Sequence, residues 1–173
     1  MLIIYRILIN IAYFLSPLII ILRLIRNKED QKRYKEKFCF FTKKKIKGKL
    51  IWIHGASVGE FQSVVPLIEK YEKKKNISQI LITSNTLSSS KVISNYRFKK
   101  VIHQFFPIDT NLNTQKFLDY WQPSLSLFVD SEIWPNFLIE IKNNNIPLIL
   151  LNGRITKKTL KRWMLIKSFA VKV

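Results

Sequence analysis

The sequence predicts an α/β fold: a single Rossmann-like domain behind an amino-terminal hydrophobic helix. Three observations predict it. From Leu50 onward, short apolar runs alternate with segments of helical apolar spacing, the pattern of βαβ units and a parallel sheet. The first run, Leu50-Ile51-Trp52-Ile53, leads directly into His54-Gly55-Ala56-Ser57-Val58-Gly59-Glu60, a turn of small residues closed by a carboxylate. Residues 1–26 differ from all that follow, because Ile7 to Leu22 is apolar apart from Asn10, Ser16 and Pro17.

That first segment is read as a membrane anchor, either spanning or lying in the interface. Counted from Leu2 to Leu22, with Arg6 snorkelling, it just reaches the roughly 20 apolar residues that a spanning helix needs. Pro17 predicts a kink. An ordinary core helix is the alternative. A signal peptide is set aside, because no small-x-small cleavage site precedes the basic stretch. Arg23, Arg26, Lys28, Lys32, Arg33, Lys35 and Lys37 follow the segment. Positive charge there marks a cytoplasmic flank and attracts anionic lipid. The expected organisation is an anchor over 1–26, a basic linker over 27–49 and a Rossmann-like domain over 50–173.

Within that domain the apolar runs predict strands over 50–54, 79–83, 101–106, 125–129 and 147–151. Helical spacing predicts helices over 58–73, 86–97, 112–121, 135–144 and 157–167. Pro135 suits a first helical turn, and Asn143-Asn144-Asn145 suits the loop after that helix. Pro66 falls inside a helical pattern and predicts a kink or a shortened helix. No GxGxxG and no Walker sequence follows the first strand, so neither standard phosphate loop is supported.

The formal net charge is +19, from 30 basic and 11 acidic residues, which suits nucleic acid, an anionic membrane or a phosphorylated substrate. The basic residues are spread along the chain without a nucleic-acid motif, so nucleic acid ranks last. Cys39 is the single cysteine and excludes an intramolecular disulfide.

Four strands end in residues able to carry chemistry. Glu60 falls in a first helical turn, where it serves either as a base facing a crevice or as a carboxylate that only satisfies backbone donors. Asp130-Ser131-Glu132 closes the fourth strand. Its two acids could stabilise positive charge or hold a divalent metal, or simply cap the next helix. Arg154, after Asn152-Gly153, suits a phosphate clamp or a surface ion pair. Thr83-Ser84-Asn85-Thr86 suits anion binding at a helix start, and a plain N-cap explains Thr86 equally. His103 falls inside an apolar strand and reads as a packed histidine.

Three blocks, His54-Gly-Ala-Ser-Val-Gly-Glu60, Asp130-Ser-Glu-Ile-Trp-Pro-Asn136 and Leu151-Asn-Gly-Arg-Ile155, resemble the 3-deoxy-D-manno-octulosonic acid (Kdo) transferases. The hydrophobic amino terminus, the basic segment through Tyr34 and Phe38, and Pro107-Ile-Asp109 are similar as well. The resemblance implies the amino-terminal, acceptor-binding half of a two-domain GT-B glycosyltransferase of lipopolysaccharide assembly. Such an enzyme works at the cytoplasmic side of a Gram-negative inner membrane. It transfers Kdo from CMP-Kdo to lipid IVA, the lipid A precursor, inverting the anomeric carbon without metal or other cofactor. Glu60 matches the general base and Asp130 a glutamate that stabilises the transition state. Ser57, Gly59, Glu132 and Arg154 fall at acceptor-binding positions.

The chain departs from the family pattern in places. Asp-Ser-Glu stands for Glu-Thr-Glu at 130–132. The shorter side chain withdraws the charge by roughly 1.5 Å, and about 1 Å of misplacement can cost on the order of 100-fold in rate. Ser88-Ser89-Ser90 replaces a Thr-Gly, and Asn152-Gly153-Arg154 replaces Asn-Ala-Arg. The sequence stops at Val173, so the expectation is a truncated or split enzyme whose CMP-Kdo domain is absent and which is inactive alone. A non-catalytic membrane-bound lipid A-precursor binder, or an inactive remnant, is the alternative.

Overall fold

A computed structural model describes residues 1–130 and 133–153. An amino-terminal helix, α1 (Leu2–Ile25), precedes a five-stranded parallel sheet. The strands are β1 (Leu50–His54), β2 (Gln79–Ser84), β3 (Val101–Phe105), β4 (Leu125–Val129) and β5 (Leu148–Leu151), in the spatial order β3-β2-β1-β4-β5. Between them run α2 (Val58–Glu72), α3 (Leu87–Asn95), α4 (Asn111–Trp121) and α5 (Pro135–Asn143). The boundaries agree closely with those that the apolar spacing predicts. The helix expected over 157–167 lies outside the described residues.

Strand alternation sorts the core into two chemistries. On one face Leu50, Trp52 and Phe128 meet Phe117 and Trp121 of α4 and Phe137 of α5, an aromatic layer. On the other, Ile51, Ile53, Leu127 and Val129 meet Phe61, Val64 and Ile68 of α2 and Ile93 of α3, a mainly aliphatic layer. The central strands are therefore covered on both faces, as a parallel sheet requires, while Leu148, Ile149 and Leu150 of β5 are exposed among the described residues. Pro66 does not shorten α2, which runs unbroken through it.

The stretch 27–49, expected as a basic linker, is folded onto the domain for part of its length. A 3₁₀ turn at Tyr34–Phe38 brings Glu36 against the open edge of β3, fully buried. Its carboxylate accepts the Phe105 backbone N–H at 2.7 Å and both Arg33 Nε and Nη2, at 3.0 and 2.9 Å. Thr42 Oγ1 donates to the same carboxylate. Glu29 likewise receives Arg23 and Lys37, each at 2.6 Å. Two of the three acids in this basic run, Glu29 and Glu36, collect cations, while Asp30 accepts the backbone N–H groups of Lys32 and Arg33. Cys39 ends the turn, buried, its thiol pushed up to about 12 by burial and therefore unreactive.

Helix α1 is continuous through Pro17. Proline removes the N–H that the Tyr13 carbonyl would accept, and the Ser16 hydroxyl donates to that carbonyl at 2.7 Å instead. Only 11% of the most apolar 18-residue window of α1 is buried. Helix α1 is therefore not a core helix of this domain.

Replacing Glu36 with alanine leaves Arg33 without its buried partner and the Phe105 N–H without an acceptor. Chemical denaturation of the full chain in detergent micelles should show a loss of about 3–5 kcal/mol, the cost of breaking a buried pair from one side. A loss below about 1 kcal/mol would place this pair with ordinary surface bridges.

Candidate active site

The strand order reverses between β1 and β4: the chain leaves β1 toward β2 on one side, and β4 lies on the other. Open α/β sheets bind ligands in the crevice outside the carboxyl ends of their strands at such a switch point. The loops after β1 and β4 carry the two acids named from sequence, Glu60 and Asp130. Gly55 lets these loops approach. A Cβ there would sit 3.3 Å from Glu60 Cβ and 3.8 Å from Val129 Cβ, between the two segments.

Ser57 is the N-cap of α2, its hydroxyl accepting the Glu60 N–H at 3.3 Å. The Glu60 side chain folds back over the turn. One oxygen accepts the Ala56 backbone N–H at 2.7 Å, and the other accepts the Ser57 hydroxyl proton at 2.8 Å. This is a variant of the reciprocal capping box. It fixes the carboxylate just beyond the carboxyl end of β1, half-buried, and a carboxylate so engaged still has lone pairs for a further donor. Ser57 and Gly59 beside it are exposed. Nothing lies within 4 Å of where a Gly59 Cβ would be, so Gly59, the residue before Glu60, faces open space.

Asp130 follows β4 in the left-handed region, φ 58°, with its N–H donating to the Leu151 carbonyl at 2.8 Å. That conformation suits a short polar residue better than a long one, a local reason for aspartate here. Asn152 after β5 is also left-handed, φ 55°, and its amide donates to Ser63 Oγ of α2 at 3.4 Å. Glu132 and Arg154 lie outside the described residues.

The hydroxyl run 83–86 is consumed internally. Thr83 Oγ1 accepts Trp52 Nε1 at 2.9 Å, Ser84 Oγ meets His103 Nε2 at 2.9 Å, and Thr86 caps α3 through the Ser89 N–H at 3.1 Å. It is therefore framework, and the plain N-cap reading of Thr86 holds. His103 is packed as expected. Its Nδ1 accepts Arg33 Nη2 at 3.0 Å. Burial, with Arg33 and Lys43 adding to it, lowers its pKa to about 3. A cavity of about 210 Å³ beside it, lined by Arg33, Lys43, Ser90 and His103, contains none of the predicted site residues.

A chain of contacts behind the crevice escaped the sequence reading. His54, at the end of β1, stacks on Phe106 and accepts Trp134 Nε1 at its Nε2, 3.1 Å away. Its Nδ1 therefore carries the proton and faces Thr83, 3.0 Å from the hydroxyl. Trp134 precedes α5, whose first turn is held by buried Asp109: Oδ2 accepts the Asn136 N–H at 3.0 Å and Oδ1 the Phe137 N–H at 2.9 Å. Asp109 Oδ2 also accepts the Tyr5 hydroxyl of α1 at 2.6 Å. Arg6 does not snorkel; its Nε donates to Asn136 Oδ1 at 2.9 Å. The available signal was a lone arginine in an apolar helix, together with acid and amide residues at Asp109 and Asn136.

These features define a doubly wound α/β domain that presents a helix-capping carboxylate and a second acid across its switch point. Residues 32–173 match the family described as 3-deoxy-D-manno-octulosonic-acid transferase (kdotransferase). A probable mitochondrial 3-deoxy-D-manno-octulosonic acid transferase of Arabidopsis thaliana is 37% identical over 163 residues, covering 92% of this chain and 36% of that protein. The 3-deoxy-D-manno-octulosonic acid transferase of Rickettsia bellii is 37% identical over 167 residues, covering 92% and 40% respectively. That of Rickettsia felis is 43% identical over 120 residues, 69% of this chain and 26% of that protein. The chain belongs to the Kdo transferase family, and it spans well under half the length of these relatives.

Asp109 yields a pH signature. Burial raises its pKa to about 6 against the opposing pull of its hydrogen bonds to Tyr5, Asn136, Phe137 and Thr114. Between the ordinary aspartate range and about pH 6 the folded chain holds a proton that the unfolded chain has released. The Asp109 contribution to stability therefore falls as pH rises through that window and is level above it. Denaturation midpoints taken from pH 4 to 7 should show this fall in the parent chain and lose it in Asp109→Asn.

Proposed function

We propose that the chain is the acceptor-binding half of an enzyme that transfers Kdo from CMP-Kdo to lipid IVA at the cytoplasmic face of a Gram-negative inner membrane. The observation that carries the reading is the setting of Glu60, in the first turn of α2 beside the switch point of a family member's sheet, next to Gly59, which faces open space. In this reading Glu60 takes the proton of the acceptor hydroxyl as that oxygen attacks the anomeric carbon of Kdo. CMP leaves from the opposite face with the bonding electrons, so the configuration inverts. The Asp130 carboxylate stabilises the positive charge that develops on the sugar. Ser57, Gly59, Glu132 and Arg154 contact the acceptor, and no metal enters the step. The donor is held by a CMP-Kdo-binding half of the kind a two-domain GT-B enzyme carries. A net charge of +19 favours a phosphorylated acceptor and an anionic leaflet, and α1 offers the apolar surface that meets it.

A second reading is a lipid A-precursor binder without catalysis, because the contacts of Glu60 are also those of a purely structural cap. One substitution separates the two. Glu60→Gln keeps an oxygen for the Ala56 N–H and removes the base. Assayed with a CMP-Kdo-binding half supplied, it should lower transfer by about 10²–10⁴-fold with the melting temperature unchanged. Transfer at the parent rate would leave Glu60 as a cap only. Asp130→Asn should reduce transfer without weakening acceptor binding, and a loss of binding instead would remove Asp130 from the transition state.

A further inference from the structure

Helix α1 is polar where it faces the domain and apolar where it does not. Tyr5 reaches Asp109 and Arg6 reaches Asn136 near the amino end. Tyr13 packs edge-on against Phe38, ring centroids 5.6 Å apart. Ser16 and Ile20 are buried, and Arg23 pairs with Glu29 near the carboxyl end. With half-buried Ile9 between Tyr5 and Tyr13, these positions recur every three or four residues and form one stripe. From residue 5 to residue 23 the stripe runs about 27 Å at 1.5 Å per residue. Apart from exposed Asn10 the remaining surface is hydrocarbon: Ile3, Phe14 and Ile25 are 74%, 83% and 73% exposed, and Ile4, Ile11 and Leu18 are exposed as well.

A helix that crosses a bilayer buries roughly 30 Å of its length in hydrocarbon. Helix α1 is attached to the domain over nearly that length. Crossing would draw Asp109, Asn136 and Glu29 into lipid, or would break each of these contacts and strand Arg6 in the apolar layer. Both outcomes are costly. The alternative keeps every contact: the helix lies flat, its stripe on the domain and its apolar side in the outer acyl region. The charge next to it agrees. Arg26, Lys28, Lys32 and Lys35 follow the helix and are exposed, and such residues favour anionic headgroups.

We propose that α1 lies in the plane of an anionic lipid leaflet, clamped lengthwise between lipid and domain, and does not cross it. The proposal deepens the reading that the chain works at a membrane.

The test uses the full chain in phosphatidylglycerol-containing vesicles, with spin labels on single added cysteines at Ile4, Ile11, Leu18 or Ile25. These positions share one exposed face at seven-residue spacing, and buried Cys39 stays unlabelled. Oxygen and nickel-chelate collision rates give the depth of each label. In-plane binding places all four at one shallow depth, about 5–10 Å below the headgroups. A profile deepest at Ile11 and Leu18, with Ile4 and Ile25 near opposite surfaces, overturns the flat geometry while leaving membrane attachment standing. Labels that never leave water overturn both. Lys28→Gln with Lys32→Gln should weaken vesicle binding by roughly fivefold per residue, and unchanged binding overturns the preference for anionic lipid.

Discussion

Asp109 is the group on which the remaining geometry depends. It is fully buried, and it receives backbone donors from the first turn of α5 and the phenol of Tyr5. A helix start leaves orphan N–H groups that must find acceptors. Trp134, the N-cap of α5, has no side-chain cap of its own, and Asp109 supplies the acceptor from another loop. One carboxylate thus satisfies α5, fixes the end of the loop after β4 and anchors α1. The fixed Trp134 then reaches His54 at the end of β1, the strand that leads into the Glu60 turn. The apolar helix and the crevice are joined by a short series of hydrogen bonds, each with a measurable partner.

The burial of Asp109 explains why it titrates high although it accepts several hydrogen bonds. Desolvation penalises the charged form more than those donors favour it. The edge of β3 is handled differently. There Glu36 is buried beside Arg33, so the edge amide of Phe105 meets an acceptor that already has a cationic partner. Both carboxylates do structural work at places where the backbone would otherwise leave donors unmet.

The strands and helices were legible because each apolar run is strong and each break is marked by polar or small residues. Glu60 was legible for the same reason: strand, tight turn and helix follow one another in a few residues. Pro66 and Pro17 do not end their helices, and at Pro17 the Ser16 hydroxyl takes the carbonyl that the missing N–H leaves. The contacts of Arg6 and Asp109, and that of Glu36 with Phe105, were not legible, since these partners lie far along the chain and no periodicity encodes such pairs. Arg6 and Asn136 are 130 residues apart. The left-handed backbone at Asp130 was equally hidden, although its short acidic side chain is of the type that tolerates it.

The direction of α1 follows from the sheet. Asp109 lies in the connection after β3, and Asn136 starts the helix after β4, so both belong to the carboxyl edge of the sheet. That edge also carries the Glu60 turn and Asp130. The amino end of α1 is therefore tied to the same edge that forms the crevice, and its apolar side is left free. The acceptor of the proposed function, a sugar headgroup with acyl chains, would have matching needs: polar contacts at strand ends and an apolar phase close by. A helix standing upright from the domain would meet only the second need at a point. Under the in-plane geometry proposed above, a helix held along its length would bring a leaflet beside the domain over many residues, so that the headgroup of the proposed acceptor would reach the strand ends while its chains stayed in lipid.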